Sequence, residues 1–406
     1  MVENMNTDAF TTIEQVLTPL LTPVLPMGLI GGATMTQTEH WMLEAVHLAL
    51  KGWGGVSPNP LVGAIIIAPN GEIIGKGWHA QAGKPHAEPN AIDAVNGAIP
   101  HGSTMVVTLE PCNHWGQTPP CTRTILQTGI TTVIVGCTDT NPQVAGTGIE
   151  ALRCAGITVK TGVLEGLCQQ INRPFFNRLA HQRPFVAVKF AQTLDGKLAT
   201  RQGHSQWVTS QPARTWVHGM RAGFDALLTS ASTVAADNPL FTCRHPNIQP
   251  LRQPVRVVLD TMLRLNPQKF NIFDTSITPT WVCYGAEAPI NIQHFNLLQD
   301  KGVKLLAVPR NATGTGLQLS TLLQVLRTEG ITSVWVEGGG TLTSSFLQQP
   351  TLVDDIYAIV APKLLGDAGA IPSFTAPKIA WQMPSVATYT LYNVQPLGED
   401  ALLIMR

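Results

Sequence analysis

Within Pro85-His86-Ala87-Glu88, and downstream at Cys112 and Cys121, the chain offers one imidazole, two thiols and a carboxylate. His86, Cys112 and Cys121 are the donor types of a catalytic zinc, which takes three protein ligands and leaves its fourth position to water. Such an ion brings the pKa of its water to about 7, and a carboxylate that is not a ligand can carry the proton to a leaving group. Glu88 stands two residues from the histidine, where it could do this. Water together with a proton carrier is the chemistry of hydrolytic amine loss. The short P-C-x-x-C spacing of zinc base deaminases is stretched here to Cys112-x8-Cys121. A structural zinc is the plainer alternative. It would need a fourth protein ligand, for which His114 is the nearest candidate.

These side chains need a helix start and a strand end that converge on one ion. Ala87, Ala91, Ile92 and Val95 repeat with helical spacing, so 86–96 reads as a helix opening at His86. The run 104–109 reads as a buried strand leading into Pro111 and Cys112. Around them the pattern alternates: helices 38–50, 120–128 and 146–154, strands 61–67, 72–78 and 132–136. This predicts a three-layer α/β sandwich with a mixed or parallel sheet over residues 36–180. The stretch 172–183, with Pro174 and scattered charge, reads as a crossing into a second α/β unit over 181–406. That unit is expected to hold strands 185–191, 224–229, 255–259, 279–284, 303–308, 332–337 and 355–361, with helices near 211–221 and 341–349. Residues 1–35 read as a poorly ordered extension, because Pro19, Pro23 and Pro26 interrupt their apolar stretch. Translation from Met35, just before a helical pattern, is a related expectation.

A chain of 406 residues exceeds what one hydrophobic core usually serves. The formal net charge is zero and no basic run occurs, so a nucleic-acid partner is not expected. The interrupted apolar stretch supports neither a membrane span nor a signal peptide, so no membrane partner is expected. Seven scattered cysteines without an export signal fit a reducing cytoplasm and thiols that bind metal or pack. A homo-oligomer is the expected assembly.

In the second unit, the segment 333–341 reads as a strand that turns through Gly338, Gly339 and Gly340 into a helix. Backbone N–H groups at such a start favour phosphate. A tight turn without a ligand is equally compatible, and the dinucleotide fingerprint fails because Thr343 stands where its last glycine would be. Lys189 and Asp195 put charge at the end of an apolar strand. Arg221 and Arg244 could clamp an anion, although each of these charges alone reads more simply as solvated or ion-paired.

Several ordered segments carry a resemblance that covers about residues 36–405: Ser57 to Gly63, Gly77 to His79, Ala82 to Glu88, Thr108 to Cys112, Gly116 to Cys121, Asp139 to Gly146, Gln192 to Gly196, Ser205 to Trp207, Thr229 to Asp237 and Val336 to Gly339. The chain resembles the bifunctional deaminase/reductases of riboflavin biosynthesis. The resemblance implies a cytidine-deaminase-like sandwich followed by a dihydrofolate-reductase-like domain. It implies Zn2+ and NADPH, and as substrate a phosphoribosylated diaminopyrimidine that is deaminated and then reduced at its ribosyl group. Asn59 and His79, helped by His114, would orient the deaminase substrate. Ala191, Trp207, Thr233, Asp237, Thr261 and the run Gly339, Gly340, Thr341, Leu342, Thr343, Ser344 and Ser345 would contact the cofactor. Ser205, Arg221, Phe241, Arg244 and Glu337 would hold the phosphorylated substrate, with Lys189 at the hydride-transfer site. Three positions depart from the family pattern: Ser57 where many members have His, Pro89 after the glutamate, and Gln117 where a basic residue often faces the substrate phosphate. A base or nucleoside deaminase with a merely ligand-binding second half, and a zinc-stabilised scaffold without activity, are the rival readings.

Overall fold

The computed structural model describes residues 12–21, 35–116, 119–140, 145–375 and 386–406. Gln117 and the remainder of the 1–34 segment lie outside the described residues. The chain divides into two compact units, 1–181 and 182–406.

The first unit is built on a five-stranded sheet: β1 Gly63–Ile67, β2 Ile73–Trp78, β3 Ser103–Leu109, β4 Ile130–Cys137 and β5 Thr158–Thr161, in the order β2-β1-β3-β4-β5. β1 pairs antiparallel with β2 and β3, whereas β3, β4 and β5 run parallel, so the sheet is mixed. Every residue of β1 is buried, which explains its unbroken apolar run: both faces are covered. Ala64 and Ile66 face a cluster with Ala87, Ala91, Ile125 and Leu152 of the helices Ala87–Asp93, Cys121–Leu126 and Thr147–Cys154. On the other face the helix Gln37–Leu50 lies so close that a Cβ at Gly63 would meet the Ala45 carbonyl at 1.9 Å. The result is the three-layer sandwich.

One sequence expectation needs correcting here. Thr12–Leu21 is a helix rather than loose chain, and Val16, Leu17, Leu20 and Leu21 are buried along one of its faces. Burying four aliphatic side chains contributes about 6–12 kcal/mol, which outweighs the ~3 kcal/mol that Pro19 costs inside the helix. The stretch read as a crossing into the second unit is helical over Arg173–His181, and the two units divide at its end, between His181 and Gln182.

The second unit carries a nine-stranded sheet in the order β11-β10-β9-β8-β12-β6-β13-β16-β15. Its strands are β6 Phe185–Thr193, β8 Ala226–Ser230, β9 Val255–Leu259, β10 Thr280–Gly285, β11 Lys304–Val308, β12 Ser333–Glu337, β13 Asp355–Ala361, β15 Leu391–Leu397 and β16 Asp400–Met405, and β7 Lys197–Ala199 pairs separately with β14 Ile371–Pro372. The strands from β11 to β13 are parallel; β16 and β15 then add antiparallel. Because the central strands are parallel, their C-terminal ends lie along one edge, where open α/β sheets take ligands. Lys189 and Glu337 are register partners on that edge.

Candidate functional site

In the first unit the expected donors meet. The ligand atoms of His86, Cys112 and Cys121 lie within 4.8 Å of one another. Both sulfurs approach the same ring nitrogen: Nδ1 of His86 is 3.3 Å from Cys121 Sγ and 3.6 Å from Cys112 Sγ. His86 is the N-cap of the helix Ala87–Asp93, Cys112 follows the end of β3, and Cys121 opens the helix Cys121–Leu126. This placement depends on Gly77 of β2, where a Cβ would meet Ala91 N at 2.3 Å and Ala87 O at 2.5 Å. Only a bare backbone lets the helix carrying Glu88 lie that close.

The electrostatics suit a divalent cation. A hydrogen bond from the Cys121 thiol, and a further one from His86, draw the Cys112 thiol down against its partial burial, while that same bond and burial push the Cys121 thiol up. Glu88 is buried, and burial followed by the neighbouring Cys112 sulfur pushes its carboxyl up to about 7. One imidazole and two sulfurs within a few ångströms fit zinc, with room for a non-protein ligand.

His79 lies at the same place, its ring centroid 5.3 Å from that of His86. The Pro85 carbonyl, 3.1 Å from His79 Nδ1, can only accept, so Nδ1 carries the proton and Nε2 accepts from the Asn59 amide at 3.0 Å. Burial lowers the pKa of His79, which keeps it neutral. Asn59, His79, His86, Glu88, Cys112 and the exposed His114 all line one cavity of about 490 Å³.

Two residues of this unit escaped the sequence reading. Lys84 lines the same cavity and forms no ion pair among the described residues. Glu110, 5 % exposed, accepts the backbone N–H groups of Asp139, Gly146, Gly148 and Ile149 at 2.9–3.3 Å. It serves as a remote cap for the helix Thr147–Cys154, whose own N-cap is a glycine. The signal for Lys84 was its place inside the His86 segment; nothing local marked Glu110.

In the second unit Glu337 is the hub. Arg221 donates to its Oε2 through Nε at 3.0 Å and Nη2 at 2.8 Å, Trp335 donates to the same oxygen at 3.0 Å, and Lys189 donates to Oε1 at 3.0 Å. Burial by itself would raise the Glu337 carboxyl, but Arg221 and Lys189 hold it well below the usual carboxylate range. Arg221 also lies over the Phe241 ring at 5.1 Å and donates to the Thr242 carbonyl, while Arg244 donates to Thr242 Oγ1 at 2.8 Å. The structure thus joins Lys189, Arg221, Phe241 and Glu337 into one cluster.

The glycine turn opens the helix Gly340–Leu347. Gly340 makes room for the chain itself: a Cβ there would meet the Pro372 carbonyl at 2.9 Å. The Gly339 N–H donates to Thr233 Oγ1 at 3.1 Å. A cavity of about 1070 Å³ beside that helix is lined by Thr261, Thr341, Leu342, Ser344 and Ser345 among the residues expected at the cofactor, whereas Thr233, Gly339 and Gly340 do not line it. Thr343 is buried within the helix, and Trp207, 62 % exposed, stacks under Arg214 at 4.4 Å. Ala191 lies on β6, Asp237 ends the helix Ala231–Asp237 and Ser205 is in a turn before the helix Gln211–Arg221; these three and Trp207 do not line that cavity.

Comparison with known proteins agrees with both halves. Residues 35–137 match the cytidine and deoxycytidylate deaminase zinc-binding region, and residues 184–403 match the RibD C-terminal domain. The riboflavin biosynthesis protein RibD of Synechocystis is 40 % identical over 369 residues, covering 91 % of this chain and 96 % of its own; that of Bacillus amyloliquefaciens is 37 % identical over 365 residues, covering 90 % and 95 %. This chain belongs to the RibD family. Among solved structures, Acinetobacter baumannii RibD superposes with a TM-score of 0.79 at 35 % identity, covering 91 % of this chain and 98 % of that one. A Thermotoga maritima deaminase/reductase gives 0.77 at 35 % identity, again covering 91 % and 98 %. As a RibD the chain has a cytidine-deaminase-like unit followed by a dihydrofolate-reductase-like unit. It is a zinc hydrolase and an NADPH-dependent oxidoreductase that catalyses two consecutive steps of riboflavin biosynthesis: deamination of the phosphoribosylated diaminopyrimidine, then reduction of the ribosyl group to ribityl.

Proposed function

We propose that His86, Cys112 and Cys121 hold the zinc and that Glu88 is the proton carrier of the deamination. The observation that carries this reading is the convergence of one imidazole nitrogen and two sulfurs within 4.8 Å beside a buried carboxylate. Zinc, when bound, supplies an acidified water. Glu88 takes up a proton from that water and returns it to the departing ammonia; its burial, which favours the neutral carboxyl, suits it to hold the proton between the two transfers. Asn59 and the neutral His79 form the polar wall that orients the pyrimidine, and His114 stands at the cavity's exposed side.

In the reductase half, NADPH supplies the hydride. Ala191, Trp207, Thr233, Asp237, Thr261 and the Gly339 to Ser345 turn are its proposed contacts. Lys189 stands beside the reacting ribosyl carbon, held by Glu337, while Ser205, Arg221, Phe241 and Arg244 hold the phosphorylated substrate. The supporting feature is the Glu337 hub, which fixes Arg221 and Lys189 on one oxygen each. The proposed setting is a homo-oligomer in the cytoplasm, without a nucleic-acid partner. Exposed Leu391 and Val394 on the edge strand β15 support association, the neutral net charge argues against nucleic acid, and among the described residues no helix is long and apolar enough to cross a membrane.

A coupled assay on purified protein tests the reading by following ammonia release and NADPH consumption from the diamino substrate. Both signals are expected, ammonia first. Ammonia release that survives complete removal of zinc would refute the proposed site.

A further inference from the structure

Asn59, proposed to orient the pyrimidine, stands between Pro58 and Pro60 in the loop that leads into β1. Neither proline has a backbone N–H to donate, so this loop is poor in bonds of its own. The Asn59 N–H reaches the Val56 carbonyl at 2.8 Å, which steadies the upstream side. A side chain that must hold a substrate ring in one orientation needs more than that.

The further support comes from 111 and 120 residues downstream. Asn172 follows the helix Glu165–Ile171, is 2 % exposed, and uses both ends of its amide on one residue. Its Oδ1 accepts the Leu61 N–H at 2.7 Å and its Nδ2 donates to the Leu61 carbonyl at 2.9 Å. Leu61 is thereby paired as a neighbouring strand would pair it, with both backbone groups satisfied. On the next helix, Arg173–His181, Arg178 Nη2 donates to the Pro58 carbonyl at 2.6 Å. Asn59 is thus held from both sides.

Phe175 of the same helix ties this brace to the deaminase cavity. It lines the cavity together with Pro58, Asn59 and His79, and the Arg178 guanidinium lies over its ring at 5.1 Å. Such a contact keeps a long side chain near one geometry, so its bond to Pro58 costs less ordering. The effect of the loop reaches further, because the Asn59 amide donates to His79 Nε2 at 3.0 Å. Neither matched region, 35–137 or 184–403, includes Asn172 or the helix Arg173–His181.

We propose that Arg178 and Asn172 are positioning residues of the deamination, acting on the substrate through Asn59 by fixing the loop from Pro58 to Leu61. The inference rests on Asn59 contacting the pyrimidine. A double-mutant cycle between Arg178→Met and Asn59→Ala on the full zinc-loaded chain, read as kcat and KM for ammonia release, tests both. Arg178→Met keeps an unbranched stem beside Phe175 but removes the donor. It is expected to raise KM about 3- to 10-fold, as for one lost hydrogen bond, with a smaller change in kcat. Zinc content should stay at the wild-type level, which shows that the variant folds. In the Asn59→Ala background the same substitution should change KM by less than about twofold, because the residue it positions is gone. Asn172→Asp, which sets a carboxylate oxygen against the Leu61 carbonyl, should likewise raise KM only while Asn59 is present. An unchanged KM in Arg178→Met, or an equal effect with and without Asn59, overturns the inference and leaves the role of Asn59 standing. An unchanged KM in Asn59→Ala alone overturns the Asn59 assignment and the inference with it.

Discussion

The Glu110 carboxylate caps Gly148 from 38 residues away, its Oε1 accepting the Gly148 N–H at 2.9 Å. It lies two residues before Cys112, and the Gly148 Cα is so close to the Pro111 carbonyl that a Cβ would come within 1.9 Å. The strand end that carries Cys112 and the helix Thr147–Cys154 are thereby locked to one another. Glu110→Gln keeps the shape but turns an amide N–H toward backbone donors. The expected loss is about 2–3 kcal/mol in the first unit, as for a buried donor left without an acceptor. Urea unfolding followed together with both activities checks this: deamination should fall and reduction of the deaminated substrate should persist. Unchanged stability would mean that the four bonds are dispensable.

Glu88→Gln separates the two activities. General acid–base catalysis contributes about 100- to 10,000-fold, so ammonia release should drop by that order. Zinc content, read by atomic emission, should remain at the wild-type level, since Glu88 is not among the three converging donors. NADPH oxidation with the deaminated substrate should be unaffected. Joint loss of both activities would contradict independent sites.

How far the sequence disclosed this arrangement depended on the range of each interaction. The bounds Gln211–Arg221, Val255–Leu259 and Asp355–Ala361 agree with the sequence expectation, because periodic or unbroken apolar runs report burial directly. Leu319–Thr328 and the β15–β16 pair were not anticipated. The helix has no capping side chain at its start, and β15 is an edge strand whose half-exposed residues lack a clean alternation. The convergence of His86, Cys112 and Cys121 was legible because ligand chemistry restricts residue type. The roles of Glu110 and Asn172 were not, since a side chain that serves distant backbone groups leaves no periodic trace.

Lys84 should carry part of the substrate's affinity in the deaminase cavity. Lys84 is the one lysine or arginine among the described residues that line the cavity. A single charged hydrogen bond to phosphate corresponds to about 1.5–3 kcal/mol. Lys84→Ala should therefore raise KM for the phosphorylated substrate at least tenfold with kcat nearly constant. Deamination assays with the phosphorylated and dephosphorylated substrates check it: the variant should lose discrimination between them. Equal losses on both would point to a general disturbance of the site.

His218 makes the second unit sensitive to acid. Its Nδ1 accepts the Arg244 backbone N–H at 3.2 Å, which requires the neutral ring. Burial first, then Arg221 and Arg244, hold its pKa at about 4 against the ordinary 6.5, with Glu337 opposing them weakly. Because the folded pKa lies below the unfolded one, the unfolded chain takes up a proton that the folded chain refuses. The stabilisation is complete above about pH 6.5 and is lost as the pH falls toward 4. His218→Gln retains an acceptor but cannot titrate. Urea unfolding of the wild type should weaken more between pH 7 and pH 5 than that of the variant, with reductase KM for its phosphorylated substrate rising in parallel because the Arg244 loop loosens. An identical pH dependence in both proteins would show that the Arg244 contact tolerates a protonated ring.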